Sequence, residues 1–262
     1  MDANIKLADQ VLAIARQAGD AIMAIYQQDF DVYTKDDASP LTEADLAAHN
    51  IIMQGLSALS DLPVLSEESA SIAWDERRQW QRYWLVDPLD GTKEFVKKNG
   101  EFTVNIALID NHQPVMGIVY APALEKAYVG VVGAGAWSEL QGNKTPLAAS
   151  PHQTGETWKV VGSRSHQSPE IQAFLGKLDG EHELVAMGSS LKLCLVAEGR
   201  AHLYPRLGPT SEWDTGAAHA VALAAGARVT VLDPADPFDK DASPLTYNQK
   251  ESVLNPYFLV SA

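Results

Sequence analysis

The run Trp84-Leu85-Val86-Asp87-Pro88-Leu89-Asp90-Gly91-Thr92 decides how the rest of the chain is read. Arg82 to Val86 reads as a strand, and Pro88 keeps Asp87 out of the helical region. The Asp87 carboxylate is thereby held at the carboxyl end of a strand, where α/β proteins place their ligand sites. Asp90 falls where a helix N-cap belongs, with Gly91 and Thr92 as the first residues of a short helix through Lys97. Between the two aspartates, the exposed carbonyl of Leu89 is a hard oxygen donor. One turn thus offers two carboxylates, a carbonyl and a hydroxyl to cations, and the free N–H groups of Gly91 and Thr92 to a phosphate. Two cations about 3.5–4 Å apart can stabilise both the attacking and the leaving oxygen of an in-line displacement.

An isolated Asp-Gly-Thr is more often only a turn and a helix cap. Two distant features change that reading. Glu67 and Glu68 follow a short apolar strand at Pro63 to Leu65, where paired like charges are costly unless a cation offsets them. Trp213 and Asp214 open a helix, Asp214 to Ala225, so rich in small residues that it must pack tightly against something. Three acidic sites of this kind ask for a metal.

The bulk properties agree with a soluble globular enzyme. The chain has 262 residues, of which 46% are hydrophobic and 21% charged, enough for one large domain or two smaller ones. A formal net charge of −14 is a poor match for a nucleic-acid polymer, which needs a basic footprint. Bound divalent cations invert the field locally, so the acidity permits a phosphatase without indicating one. With a single cysteine, Cys194, there is no intramolecular disulfide and no cysteine-rich zinc cage. The seven histidines form no His-x-His or His-Glu-x-x-His pattern, which argues against a zinc hydrolase. The stretch MDANIKLADQ has neither a basic n-region nor an apolar h-region, which argues against a secretory signal, and no apolar run reaches membrane-spanning length, so a cytoplasmic setting is expected. Peripheral attachment to the cytoplasmic face of the inner membrane is left open.

Residues 4 to 27 and 42 to 59 read as helices, the first with Val11, Ala15, Ala18, Ile22 and Tyr26 at helical spacing. Phe102 to Ile109 and Val115 to Tyr120 read as a hairpin, and Lys126 to Val132 continues its sheet. Gln141 to Glu156 is polar and rich in Gly, Ser, Thr and Pro, and marks a boundary. We expect an N-terminal α+β half, residues 1–145, carrying the Glu67 and Asp87–Thr92 motifs. The C-terminal α/β half, residues 146–262, carries Asp214. Its strands are expected at Lys159 to Gly162, Ala201 to Tyr204 and Arg228 to Leu232, and its helices at Pro169 to Leu178 and Ser190 to Glu198. Asp233 to Ser243, with four aspartates and two prolines, reads as a solvated loop.

VLSEE, WLVDPLDGTKEF and EWDTGAAHA together resemble the three signature segments of the lithium-sensitive, magnesium-dependent phosphatases related to inositol monophosphatase. The resemblance extends over nearly the whole chain. Lys93-Glu94-Phe95 resembles the bacterial 3′(2′),5′-bisphosphate nucleotidase branch, of the CysQ type, as do Ser163-Arg164-Ser165-His166, Gly188-Ser189-Ser190-Leu191-Lys192 and Tyr204-Pro205-Arg206. The order Gly216-Ala217-Ala218 departs from the family's usual Ala-Ala-Gly, but both are small enough for close packing.

The resemblance implies a layered αβαβα sandwich of the inositol monophosphatase and fructose-1,6-bisphosphatase type. It implies that Glu67, Asp87 and the Leu89 carbonyl hold a first Mg²⁺, and Asp87, Asp90 and Asp214 a second. Glu67 would also touch a third, weaker cation through water. Thr92, hydrogen-bonded to Asp45, would help activate the attacking water. Substrate contacts are implied for Glu67, Leu89, Asp90, Gly91, Thr92 and Asp214, and for Ser163, His166, Ser189, Lys192 and Arg206 beside a small-molecule nucleotide. Outside the resemblance, Lys192 and Arg206 also fit ordinary surface charges, His166 a loop histidine, and Ser163 and Ser189 turn or cap residues. The expected reaction is hydrolysis of the 3′-phosphate of adenosine 3′,5′-bisphosphate to AMP, with 3′-phosphoadenylyl sulfate as a further substrate. The alternatives are an inositol monophosphatase or broad sugar phosphatase of the same superfamily, and a non-catalytic nucleotide sensor. Monomer and homodimer both remain open.

Overall fold

The structure is a computed structural model, and it describes residues 2–28, 40–162 and 168–262. Two helices come first, α1 (Asp2–Tyr26) and α2 (Pro40–Leu59), followed by strand β1 (Val64–Ser66), the short helix α3 (Trp74–Arg77) and strand β2 (Arg82–Asp90). Helix α4 (Thr92–Val96) then leads into a meander of β3 (Thr103–Asp110), β4 (Gln113–Ala121), β5 (Lys126–Val131), β6 (Gly135–Leu140) and β7 (Asn143–Leu147). These seven strands form one sheet in sequence order, with β1 parallel to β2 and every later pair antiparallel.

Both faces of this sheet are covered, which is why its central strands read as unbroken apolar runs. Trp84, Val86, Val104, Ile106, Leu108 and Ile118 turn to one side and pack with Val11, Ala15, Ile22, Ala48 and Ile52 of α1 and α2. Their neighbours Tyr83, Leu85, Ala107, Ile109 and Val119 turn to the other side and join a second core. Period-two alternation therefore feeds two cores instead of a core and solvent.

The remaining elements are β8 (Trp158–Gly162), α5 (Pro169–Leu175), β9 (His182–Ala186), α6 (Leu191–Ala197), β10 (Leu203–Arg206), α7 (Gly216–Ala224), β11 (Arg228–Val231) and β12 (Phe258–Ser261). Their strands make a second sheet in the order β11-β12-β10-β8-β9. Helices α6 and α7 lie between the sheets: Leu193, Cys194, Val196, Ala218 and Val221 share one core with residues of both. On the outer face, Phe174 and Leu175 of α5 pack with Val160, Leu203 and Leu259. The layers are thus helix, sheet, helix, sheet, helix, the expected αβαβα sandwich. Cys194 is buried in the middle helical layer, as a core thiol should be.

Packing of α7 explains its small residues. A Cβ on Gly117 of β4 would stand 2.0 Å from the Ala217 carbonyl oxygen, so backbone meets backbone at that point. No side chain fits there.

Several strands run beyond the sequence reading. Strand β6 extends the first sheet and β7 carries it into the stretch read as a boundary, so a break at 145 falls inside β7. Strand β7, NKTPL, is exposed along most of its length and carries Lys144 and Pro146. Those are edge-strand residues that discourage further pairing. Strand β9 is a similarly exposed edge, and β12 lies inside the second sheet between β11 and β10. Among the described residues, no helix is long and apolar enough to cross a membrane.

Candidate active site

Parallel pairing of β1 with β2 aligns Ser66 with Val86, so the next residues, Glu67 and Asp87, stand side by side where β1 ends and β2 continues. Asp87 is 1% exposed, and its Oδ1 accepts a hydrogen bond from the Leu89 amide at 3.0 Å. Asp214 arrives from the second half, at the end of the 3₁₀ turn Glu212–Asp214 that precedes α7. The Ser211 amide donates to its Oδ2 at 2.8 Å, within a reciprocal capping box. Carboxylate oxygens of Glu67, Asp87 and Asp214 come within 4.8 Å of one another. The residues that sequence reasoning drew from three separate segments therefore converge.

The electrostatics of this cluster are one-sided. Every charged group acting on Asp87 is another carboxylate (Asp90, Glu67, Asp214 and Asp45), and these add to burial in holding its pKa well above the usual range. Burial, then Asp90 and Glu68, raise Glu67; the residue sits at the rim, but its carboxyl end faces the cluster. Asp214 is pushed up to about 7 by burial and by Asp90, against the opposing Ser211 hydrogen bond and Arg206. Asp45 on α2 is pushed up to about 8 by burial and by Glu68 and Glu67, and its Oδ1 has no hydrogen-bond partner among the described residues. Crowded carboxylates with an orphaned oxygen are what a bound divalent cation relieves. An all-oxygen donor set suits a hard ion. The residues present fit such an ion.

Two local expectations are corrected. Asp90 is not the N-cap of α4. A bulge between Asp87 and Asp90 carries strand pairing on to Thr103, so Asp90 stays extended, and Gly91 caps the helix at φ +94°. A Cβ on Gly91 would be strained in that conformation and would press on Phe102 and Ser189. The second correction concerns Thr92, which is exposed and makes no hydrogen bond to Asp45 in this structure; Asp45 faces Glu68 and Glu67 instead.

Asp90 is held from across the fold. Its Oδ2 accepts from the Ser190 amide at 2.6 Å and from the Ser189 hydroxyl. Ser189 itself sits in the left-handed region at φ +53°, a conformation that costs a non-glycine residue about 1–2 kcal/mol and needs support from its surroundings. Its hydroxyl is thus engaged with Asp90, although the residue also lines a cavity of about 130 Å³ together with Asp90, Gly91, Lys192, Arg206 and Asp214.

That cavity shares Lys192, Tyr204 and Arg206 with a larger one of about 420 Å³, walled also by Ile171, Leu184 and Leu207. Among the described residues, the only charged groups lining the larger cavity are Lys93, Lys192 and Arg206, all cations in a chain of net charge −14. Arg206 is fixed by hydrogen bonds from Nε to the Gly208 carbonyl and from Nη2 to the Pro209 carbonyl, at 3.2 and 2.7 Å. Lys192 donates to the Ser189 carbonyl at 3.1 Å. Ser163 and His166 lie outside the described residues. Sequence reasoning passed over Lys93 as a cavity residue, and over Thr103, Asn105 and Ser190 around Asp90. The signal for Thr103 and Asn105 was two polar residues alternating with Val104 and Ile106 in a buried strand.

Residues 5–258 match the profile of the inositol monophosphatase family. The chain is 53% identical to the 3′(2′),5′-bisphosphate nucleotidase CysQ of Escherichia coli, over 97% of this chain and 98% of that one. It is 36% identical to the protein of the same name in Haemophilus influenzae, over 98% and 93%. Among solved structures, CysQ from Bacteroides thetaiotaomicron, described as a bacterial member of the inositol monophosphatase family, superposes with a TM-score of 0.86. It shares 41% identity, over 98% of this chain and 97% of that one. SuhB of Mycobacterium tuberculosis shares the fold at a TM-score of 0.71 and 22% identity, over 98% and 90%. The chain belongs to the inositol monophosphatase family.

Proposed function

We propose that this protein is a Mg²⁺-dependent 3′(2′),5′-bisphosphate nucleotidase that hydrolyses the 3′-phosphate of adenosine 3′,5′-bisphosphate to AMP and phosphate. The observation that carries the reading is the junction of two unlike surfaces. A carboxylate cluster at Glu67, Asp87 and Asp214 opens onto a cavity whose charged wall is cationic. A monoester needs only the first surface; a nucleotide with a second phosphate uses both. The activity named for the 53%-identical relative supports the same choice.

In this reading Glu67, Asp87 and the Leu89 carbonyl hold one Mg²⁺, and Asp87, Asp90 and Asp214 another, with Glu67 near a third, weaker one. When bound, these ions neutralise the phosphate and make a water acidic enough to attack it. Thr92 and Asp45 orient that water and accept its proton, which requires the pair to close to hydrogen-bond distance. Burial and the neighbouring Glu68 and Glu67 raise Asp45 to about 8, and cations bound beside it would draw it down toward neutral pH, where an ionised carboxylate can take the proton. Arg206 receives the distal phosphate with the guanidinium N–H groups its tethers leave free, and Lys192 adds a point contact. The apolar wall at Ile171, Leu184 and Leu207 accommodates the base. A sulfated distal phosphate, as in 3′-phosphoadenylyl sulfate, fits the same surface. We place the activity in the cytoplasm.

The test offers purified protein with Mg²⁺ the bisphosphate nucleotide and inositol 1-phosphate in parallel, with and without Li⁺. Preference for the nucleotide, with inhibition by Li⁺, is expected. Preference for the inositol ester would overturn the assignment, and silence on both would leave a binding protein.

A further inference from the structure

Among the described residues, Asp90 is the one acidic residue of the site whose carboxylate is gripped from the other half of the chain. Behind that grip lies a fully sequestered polar network. Thr103 and Asn105 of β3 and Ser190 before α6 are 0%, 1% and 2% exposed. Ser190 Oγ donates to Asn105 Oδ1 at 2.7 Å, and Asn105 Nδ2 donates to Thr103 Oγ1 at 3.2 Å. Thr103 Oγ1 lies 2.5 Å from Ser189 Oγ and 2.9 Å from Ser190 Oγ. Each serine directs its own hydroxyl proton elsewhere, to Asp90 and to Asn105, so the Thr103 hydroxyl proton is left to bind one or the other of them. The turn is pinned once more by the Gly188 amide, which donates to Glu101 Oε2 at 2.8 Å.

Burying two hydroxyls and an amide beside an apolar core is costly unless every group is satisfied, and apolar replacements would fill the space at less cost. The arrangement does one thing that apolar residues could not. It presents Ser190 N–H and Ser189 O–H to the same oxygen, Asp90 Oδ2, while Oδ1 accepts no hydrogen bond from the described residues. We propose that Thr103, Asn105 and Ser190 are positioning residues that lock the Asp90 carboxylate by one oxygen, so that the other is presented in a fixed direction for a divalent cation. The inference rests on the metal-dependent reading above. It adds that the affinity of the Asp90 cation site is set by residues that touch neither metal nor substrate, two of them on a strand of the first sheet and one at the start of α6.

The closest comparison is with partners of metal ligands elsewhere, whose loss costs about 10–100-fold in metal affinity. The test is Mg²⁺ binding to the full-length protein without nucleotide, followed by calorimetry, with thermal unfolding measured in the same metal-free samples. Thr103→Val keeps the side-chain shape and removes the hydroxyl, and should weaken one Mg²⁺-binding step by about tenfold or more. Thr103→Ser restores the hydroxyl and should bind within about threefold of wild type. Ser190→Ala retains the amide that grips Asp90 and should fall between them; it also serves if Thr103→Val does not fold. A lower unfolding temperature with unchanged Mg²⁺ affinity in Thr103→Val or Ser190→Ala would show a merely structural role and overturn the proposal. Wild-type protein that binds no Mg²⁺ would instead overturn the metal-dependent reading, and this proposal with it.

Discussion

Adding Mg²⁺ to the metal-free protein at pH 7 should release protons into solution, because the carboxylates that receive it are partly protonated beforehand. Asp214, with a pKa of about 7, carries about half a proton at that pH. Asp87 is displaced in the same direction by its burial and its carboxylate neighbours. A cation binding there displaces at least about half a proton per chain, the share that Asp214 holds. The apparent Mg²⁺ affinity should therefore rise by about a decade per pH unit for each proton displaced, and level off as the ligands ionise. Calorimetric titration in buffers of different ionisation enthalpy counts the protons directly, and at pH 9 the count should drop by about half a proton as Asp214 ceases to contribute. Stability follows the same linkage. Both groups have pKa values raised above their unfolded values near 4, so metal-free protein loses stability as pH rises from about 4 to about 8. Asp214 alone accounts for a loss on the order of 4 kcal/mol at the upper end. The metal-free protein should melt higher at pH 5.5 than at pH 8, and saturating Mg²⁺ should narrow the gap. No proton exchange at pH 7, or a count that does not change by pH 9, would refute this account of the cluster.

Three substitutions test other parts of the site. Asp87→Asn should reduce turnover at least a thousandfold yet raise the metal-free melting temperature, since it removes a buried acid that every neighbour opposes; near-normal activity would sink the metal scheme. Arg206→Ala should raise KM for the bisphosphate nucleotide by about ten- to a hundredfold, as expected for a charge-assisted phosphate contact. Simple monoesters should be little affected, and an equal loss on both would remove Arg206 from substrate selection. Gly117→Ala places a methyl group 2.0 Å from the Ala217 carbonyl oxygen and should destabilise the protein by about 1–3 kcal/mol or more, read as a lower midpoint in urea.

The parts of this molecule legible in its sequence are those where one residue type has one physical use. Pro88 bars helix at Asp87, the small residues of 216–225 demand a close neighbour, and the apolar runs of β2 to β4 demand two covered faces. Illegible parts had the opposite character. Strands β7 and β9 are exposed edges with no apolar alternation to detect, and β12 is four residues whose partners are more than twenty positions away. Asp90 looked like a helix cap because Asp before Gly usually is one. Its role depends on Ser189 and Ser190, about a hundred positions further along, and local pattern contains no trace of them. Thr103 and Asn105 were visible only as an anomaly, two polar residues in a strand that needed none.

The contact between Gly117 and Ala217 has a consequence for how substrate gets in and out. Many enzymes that hold a ligand between two halves open and shut like a jaw, with the halves sliding or hinging over a yielding interface. Here backbone rests on backbone within that interface, and Asp214 sits on the turn that leads directly into the helix that makes the contact. Asp87 and Asp214, contributed by opposite halves, are therefore joined through a seam that cannot slip without coming apart. Nucleotide exchange must be accommodated by the rim, while the floor of the site behaves as a fixed anvil.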